Sequence, residues 1–264
     1  MSVVKPSASL RERRRAATID EIIGVALRHL AEHGVHELSL RAVAREVGMT
    51  VQALYHYFDS RDALLTALIA HGNNTLADTL RATADAHRDA GYVERCVAVS
   101  LTYREWALDN KPLFLLLYGN PVPGYAAPEE GPTMMAGRRV AEVFAEVVFA
   151  GWTAEQIATV PVPAAAPALT AQLTGAAQAM APHLSPGALA QFLGAWAQLH
   201  GLVMLDLLNH LRWLEGDAAT EYHRAMLVQL GNRLAAIRDA RRSDDARAVA
   251  GAAGWWAARP APHA

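Results

Sequence analysis

Between Ser39 and Phe58 the chain reads SLRAVAREVGMTVQALYHYF, and no other stretch restricts the fold as tightly. Leu40, Val43, Ala44 and Val47 recur at helical spacing, which predicts a short helix with one inward face. Ser39 stands where an N-cap accepts from the first turn. Gly48 closes the helix, because a residue without Cβ enters the left-handed region at least cost. Met49 is the apolar plug of the turn, and Thr50 caps a third helix, Val51 to Tyr57. A helix, a glycine turn and a second short helix define a helix-turn-helix unit, whose second helix fits a DNA major groove.

The flanks complete that unit. Ile19, Ile22, Ile23, Ala26, Leu27 and Leu30 form an apolar stripe on a first helix that begins near Thr18 and ends at Gly34. Asp59 or Ser60 caps a fourth helix, with Asp62 suited to its N-terminal dipole and Leu64, Leu65, Leu68 and Ile69 on its apolar face. Tyr55, His56, Tyr57 and Phe58 are consecutive, more rings than a small core needs. Leu54 and Phe58 are i, i+4 partners and face inward. Tyr55, His56 and Tyr57 are then left to pack on sugar edges and donate to phosphate oxygens, beside Thr50 and Gln52. Arg41 and Arg61 place charge at both flanks.

The pattern LSLRAVAREVGMTVQALYHYFDSRDALLTALI resembles the DNA-binding domain of TetR-type transcriptional regulators, over about residues 15–70. The resemblance implies an all-α homodimer that binds palindromic operator DNA and releases it when a small ligand occupies the C-terminal domain. It implies DNA contact through Arg41, Thr50, Val51, Gln52, Tyr55, Tyr57 and Arg61, to which the reading of the exposed rings adds His56. Ala53 departs from the family pattern, which has Thr or Ser there and hence one more phosphate-bonding hydroxyl. Two further segments, YREWALDNKPLFLLLYG and WAQLHGLVMLDLL, are similar to a C-terminal domain type with a Trp-His-Gly signature, here Trp196, His200 and Gly201.

The domain organisation read from the sequence is a disordered basic arm over 1–15, a helix-turn-helix domain over 16–65, a helical ligand-binding and dimerisation bundle over 66–242, and a disordered tail over 243–264. The arm is either a solvated tail or a segment that reaches phosphates or a minor groove. Helices are expected over Thr133–Trp152, Ala168–Met180, Leu189–Leu214 and Tyr222–Ile237. The third of these is apolar nearly all round, so it needs core on one face and a partner chain on another. Phe192–Leu208 is broken by Gln198, His200 and Asp206, which favours a buried helix over a membrane span. Trp106, Phe114, Tyr118, Trp152, Trp196, His200 and Met204 are the candidate walls of an apolar effector pocket, in which His200 is the polar group.

The net charge of −2 requires any nucleic-acid surface to be local. The single cysteine, Cys96, excludes an intramolecular disulfide and a thiolate metal cluster, and no signal-peptide core precedes it, so a cytoplasmic site is expected. His29 and His33 are i, i+4 with no third ligand nearby, and Asp206 and His210 form a similar pair on the long helix. Catalytic and phosphate-binding motifs are absent from the sequence. The expectation is therefore a regulator with no metal, cofactor, membrane or catalytic residue. A dimeric DNA-binding protein without a small ligand, and an enzyme or carrier using the C-terminal pocket, are the alternatives.

Overall fold

The computed structural model describes residues 9–128, 130–162, 167–214 and 217–257. Among them are eleven helices and no strand. They are α1 (Leu10–His33), α2 (Leu40–Val47), α3 (Val51–Tyr55), α4 (Arg61–Ala86), α5 (Tyr92–Asp109), α6 (Lys111–Tyr118), α7 (Pro132–Val148), α8 (Ala154–Ala158), α9 (Pro167–Met180), α10 (Pro186–Leu207) and α11 (Ala218–Ala257). The chain divides into two compact units, Met1–Thr79 with Glu105–Ala141, and Leu80–Arg104 with Glu142–Ala264.

The core of the first unit joins Ile22, Ile23 and Ala26 of α1, Val43 and Ala44 of α2, Leu54 of α3, and Leu64, Leu65 and Leu68 of α4. These are the positions that the periodicity turned inward. Burying that many aliphatic side chains, at about 1.5–3 kcal/mol each, is what holds helices too short to persist alone. Val122, from the loop after α6, also enters this core, with Tyr125 packed beside it. The Tyr125 hydroxyl shares a 3.0 Å hydrogen bond with Thr66 on α4. Gly72 lets α6 approach α4 closely, because a Cβ there would lie 2.8 Å from Leu117 Cδ1. The unit is thus larger than the 16–65 read from sequence.

The N-terminal boundary is a correction. Residues 10–15 belong to α1 and are not a disordered arm; residues 1–8 lie outside the described residues. Ser9 Oγ accepts from Glu12 N while Glu12 Oε2 accepts from Ser9 N, a capping box that starts the helix two turns before Thr18. α3 ends two residues earlier than expected, because His56 N turns to Ala53 O and Tyr57 N to Leu54 O in tighter i, i+3 bonds.

In the second unit, α10 buries Leu189, Phe192, Leu199, Val203 and Leu207 on one face. Leu193 and Leu205 remain exposed outside that face, as does Leu208 just beyond the helix end. By length and composition alone α10 could cross a membrane, though it carries Asp206 in a salt bridge. It stops at Leu207 and not at Leu214: Asn209 takes φ 59, and His210 N closes on Leu205 O. The N-terminus of α10 is set by Ser185, whose Oγ accepts from Ala188 N and donates to Ile157 O. α11 continues well past Ile237, through Ala257, so residues 243–257 are helical where a disordered tail was expected; residues 258–264 lie outside the described residues.

Candidate nucleic-acid interface

The α2–turn–α3 segment is fixed by three local devices. Ser39 Oγ accepts from Ala42 N at the start of α2. Gly48 adopts φ 78 in the left-handed region, and Met49 N reaches back to Ala44 O. Thr50 Oγ1 accepts from Ala53 N, which leaves its hydroxyl proton directed elsewhere. With Leu54 and Phe58 buried, the rest of α3 is forced outward: Thr50, Gln52, Tyr55 and His56 are exposed, Tyr55 by 52%. Val51 and Tyr57 are half-buried, and Arg41 is exposed at the start of α2. Seven of the eight residues expected at DNA therefore lie along one helix-turn-helix and its flank.

Arg61, the eighth, is arranged differently. Its Nε donates to Leu38 O at 2.9 Å and its Nη2 to Val35 O at 2.8 Å. The guanidinium straps the α1–α2 connection to the start of α4. Sequence reasoning also missed Arg15, which donates from Nη2 to His56 O at 3.5 Å and lies 5.5 Å from the Tyr57 ring centroid. The signal for it was the basic run itself.

His29 braces α1 on α2. Its Nδ1 lies 2.9 Å from Glu46 Oε1 and its Nε2 3.2 Å from Glu37 O. Both partners only accept, so the arrangement favours the imidazolium, in which both nitrogens donate. The bond to Glu46 holds the His29 pKa above its ordinary value, against the opposing effect of burial, and holds the Glu46 carboxyl below its own. His33 stacks on this ring. Among the described residues no three His, Cys, Asp or Glu side chains are grouped to hold a metal ion.

The seven candidate effector contacts are divided between the two units. Trp106, Phe114 and Tyr118 lie in the first unit, where Phe114 packs on both rings and the Tyr118 hydroxyl donates to Asn73 Oδ1. Trp152, Trp196, His200 and Met204 lie in the second. There Trp196 stacks on His200 and meets Tyr103 and Phe144, and the Tyr103 hydroxyl shares a 2.9 Å hydrogen bond with His200 Nδ1. Burial lowers the His200 pKa. Of the seven, only Trp196 lines a partly open cavity of that unit, beside Cys96, Ser100, Phe192 and Leu227. The cavity leaves about 30 Å³ for water-sized occupants, room for one or two waters. Asp206 turns to Arg104, at 2.7 Å, and to the buried His223, in place of His210.

A family model described as bacterial regulatory proteins, tetR family, matches residues 22–68. A second, described as a tetracyclin repressor-like C-terminal domain, matches residues 96–230, slightly over half of the chain. That description carries no Trp-His-Gly signature. The HTH-type transcriptional regulator Mb1846 of Mycobacterium bovis is 41% identical over 132 residues, 50% of this chain and 56% of that protein. The chain thus spans about half the length of the curated relatives it matches. A crystal structure of the regulatory protein SCO4313 superposes with a TM-score of 0.65 at 31% identity, covering 84% of this chain and 98% of that one. A tetR family transcription regulator from Shewanella sp. PV-4 shares the fold, with a TM-score of 0.52 at 19% identity over 81% and 96% of the two chains.

Proposed function

The chain belongs to the TetR family of bacterial regulatory proteins, and from that premise we propose that it is a cytoplasmic, homodimeric transcriptional repressor that binds palindromic operator DNA. The observation that carries this reading is the split of α3: Leu54 and Phe58 are buried, while Thr50, Gln52, Tyr55 and His56 are exposed. In this reading Gln52 and Tyr55 face base edges. Arg41, Thr50 and Tyr57 contact the backbone, Val51 packs on a sugar or thymine methyl, and the exposed His56 adds a donor. A dimer sets two such helices about 34–36 Å apart, one turn of B-DNA. The exposed apolar side chains Leu193 and Leu205 of α10 and Val228 of α11 are ones that such a dimer would cover.

Release follows if an apolar effector prefers the state that does not fit DNA. A coupling of about 1–3 kcal/mol lowers operator affinity about 5–150-fold. Such a ligand has to displace side chains around Trp196 and Ser100 to widen the cavity. The small size of that cavity favours a second reading, a dimeric DNA-binding regulator controlled without a small molecule. Gel shift and footprinting with the DNA upstream of its own gene test the first claim. A symmetric footprint is expected, and indifference of the purified dimer to every duplex would refute it. A thermal shift with apolar compounds, repeated in the gel shift, separates the two readings.

A further inference from the structure

The first two turns of α1 lie outside the residues matched by the family's DNA-binding model, which begin at 22. The capping box draws Glu12 back onto Ser9, and hydrogen bonds from Ser9 hold its carboxyl below the ordinary range. Helical register then places Arg11, Arg14, Arg15 and Thr18 on one face, at i, i+3, i+4 and i+7. That face and the residues just after α3, His56 and Tyr57, line an open groove of about 690 Å³. Its walls hold three guanidinium groups and no carboxylate. Arg15 is engaged with the His56 carbonyl and the Tyr57 ring, which docks α1 against the end of α3. Arg11 and Arg14 are exposed on the same wall.

We propose that this groove holds a phosphodiester strand of the same duplex that α3 reads, beyond the bases α3 contacts, through Arg11 and Arg14. The inference rests on the reading of α3 as the DNA-facing helix. Its occupant follows from charge: the chain as a whole is at −2, yet the guanidinium groups of this groove face no carboxylate in its walls, and it adjoins the end of α3. Guanidinium groups on a preformed helix meet phosphate oxygens in fork geometry without the ordering cost of a flexible arm.

The test uses the full-length protein and fluorescence anisotropy with a duplex taken from upstream of its own gene, titrated with salt. In R11A/R14A, with unchanged circular dichroism, the slope of log affinity against log salt is expected to fall by about 1.8 per protomer. Affinity at moderate salt should fall at least about tenfold on specific and unrelated duplexes alike. R11K/R14K should keep the slope. Trimming the duplex at its flanks should reduce the wild-type slope towards that of the double alanine variant. An unchanged slope in R11A/R14A on the long duplex overturns the proposal while leaving α3 as the reading helix. A wild-type protein that binds no duplex overturns the reading of α3 and this inference together.

Discussion

Arg61 separates a structural role from a DNA contact, and the two give opposite readouts. Its guanidinium donates to the Leu38 and Val35 carbonyls in a partly buried setting. Hydrogen bonds to a charged group are worth about 1.5–3 kcal/mol each when sheltered. Here water can reach the connection once the side chain is gone, so Arg61→Ala is expected to cost about 2 kcal/mol in total. In a domain of this size that lowers the melting midpoint by about 4–8 °C. Arg61→Lys cannot fork to both carbonyls and should fall in between. Calorimetry reads the midpoint, and anisotropy at a temperature where every variant is folded reads the salt dependence of DNA binding. The strap predicts a lower midpoint with an unchanged salt slope. A wild-type midpoint with a slope reduced by about one would refute the reasoning and return Arg61 to the phosphate contacts.

The His29–Glu46 pair makes the first unit sensitive to pH. Because the His29 pKa is raised, its contribution is complete below the ordinary value of 6.5 and fades as pH rises through the folded value. Because that of Glu46 is lowered, its contribution is complete above 4.5 and fades as pH falls through the folded value. The stability difference between wild type and Glu46→Gln should therefore be largest between those limits, and a denaturant series showing it constant into alkaline pH would contradict the pairing. At the start of α10, a Cβ on Gly187 would lie 2.0 Å from the Val160 carbonyl oxygen. Gly187→Ala should cost about 1–3 kcal/mol by forcing the backbone apart, whereas Gly201→Ala, with open space around it, should not lower the melting midpoint.

The helix-turn-helix was legible because short-range chemistry decides it. Ser39, Gly48 and Thr50 act within three or four residues of themselves, and the apolar spacing of α1, α2 and α4 maps directly onto one core. The start of α1 was misplaced because the polar run Arg11–Ala17 has no apolar stripe to betray its periodicity, although Ser9 and Glu12 already spelled the capping box. The grouping of the aromatic residues is less legible. Trp106 and Trp196 look alike in sequence, and nothing local tells which unit each one packs in. Asp206 was read with its helical neighbour His210, yet a partner 102 residues away, Arg104, holds it. Long-range pairing of that kind leaves no periodic trace.

Val122 has a consequence for how this protein can be taken apart. The helix-turn-helix unit is discontinuous: α1 to α4 supply most of its interior, and a loop some fifty residues downstream of α4's core positions fills the remainder. Cutting the chain after Thr79, or grafting its N-terminal segment onto a foreign regulatory half, would leave Leu64, Leu65 and Leu68 beside a missing plug. Recombination of this chain is therefore constrained at two seams, and a chimera that respects the first alone inherits an incomplete helix-turn-helix core.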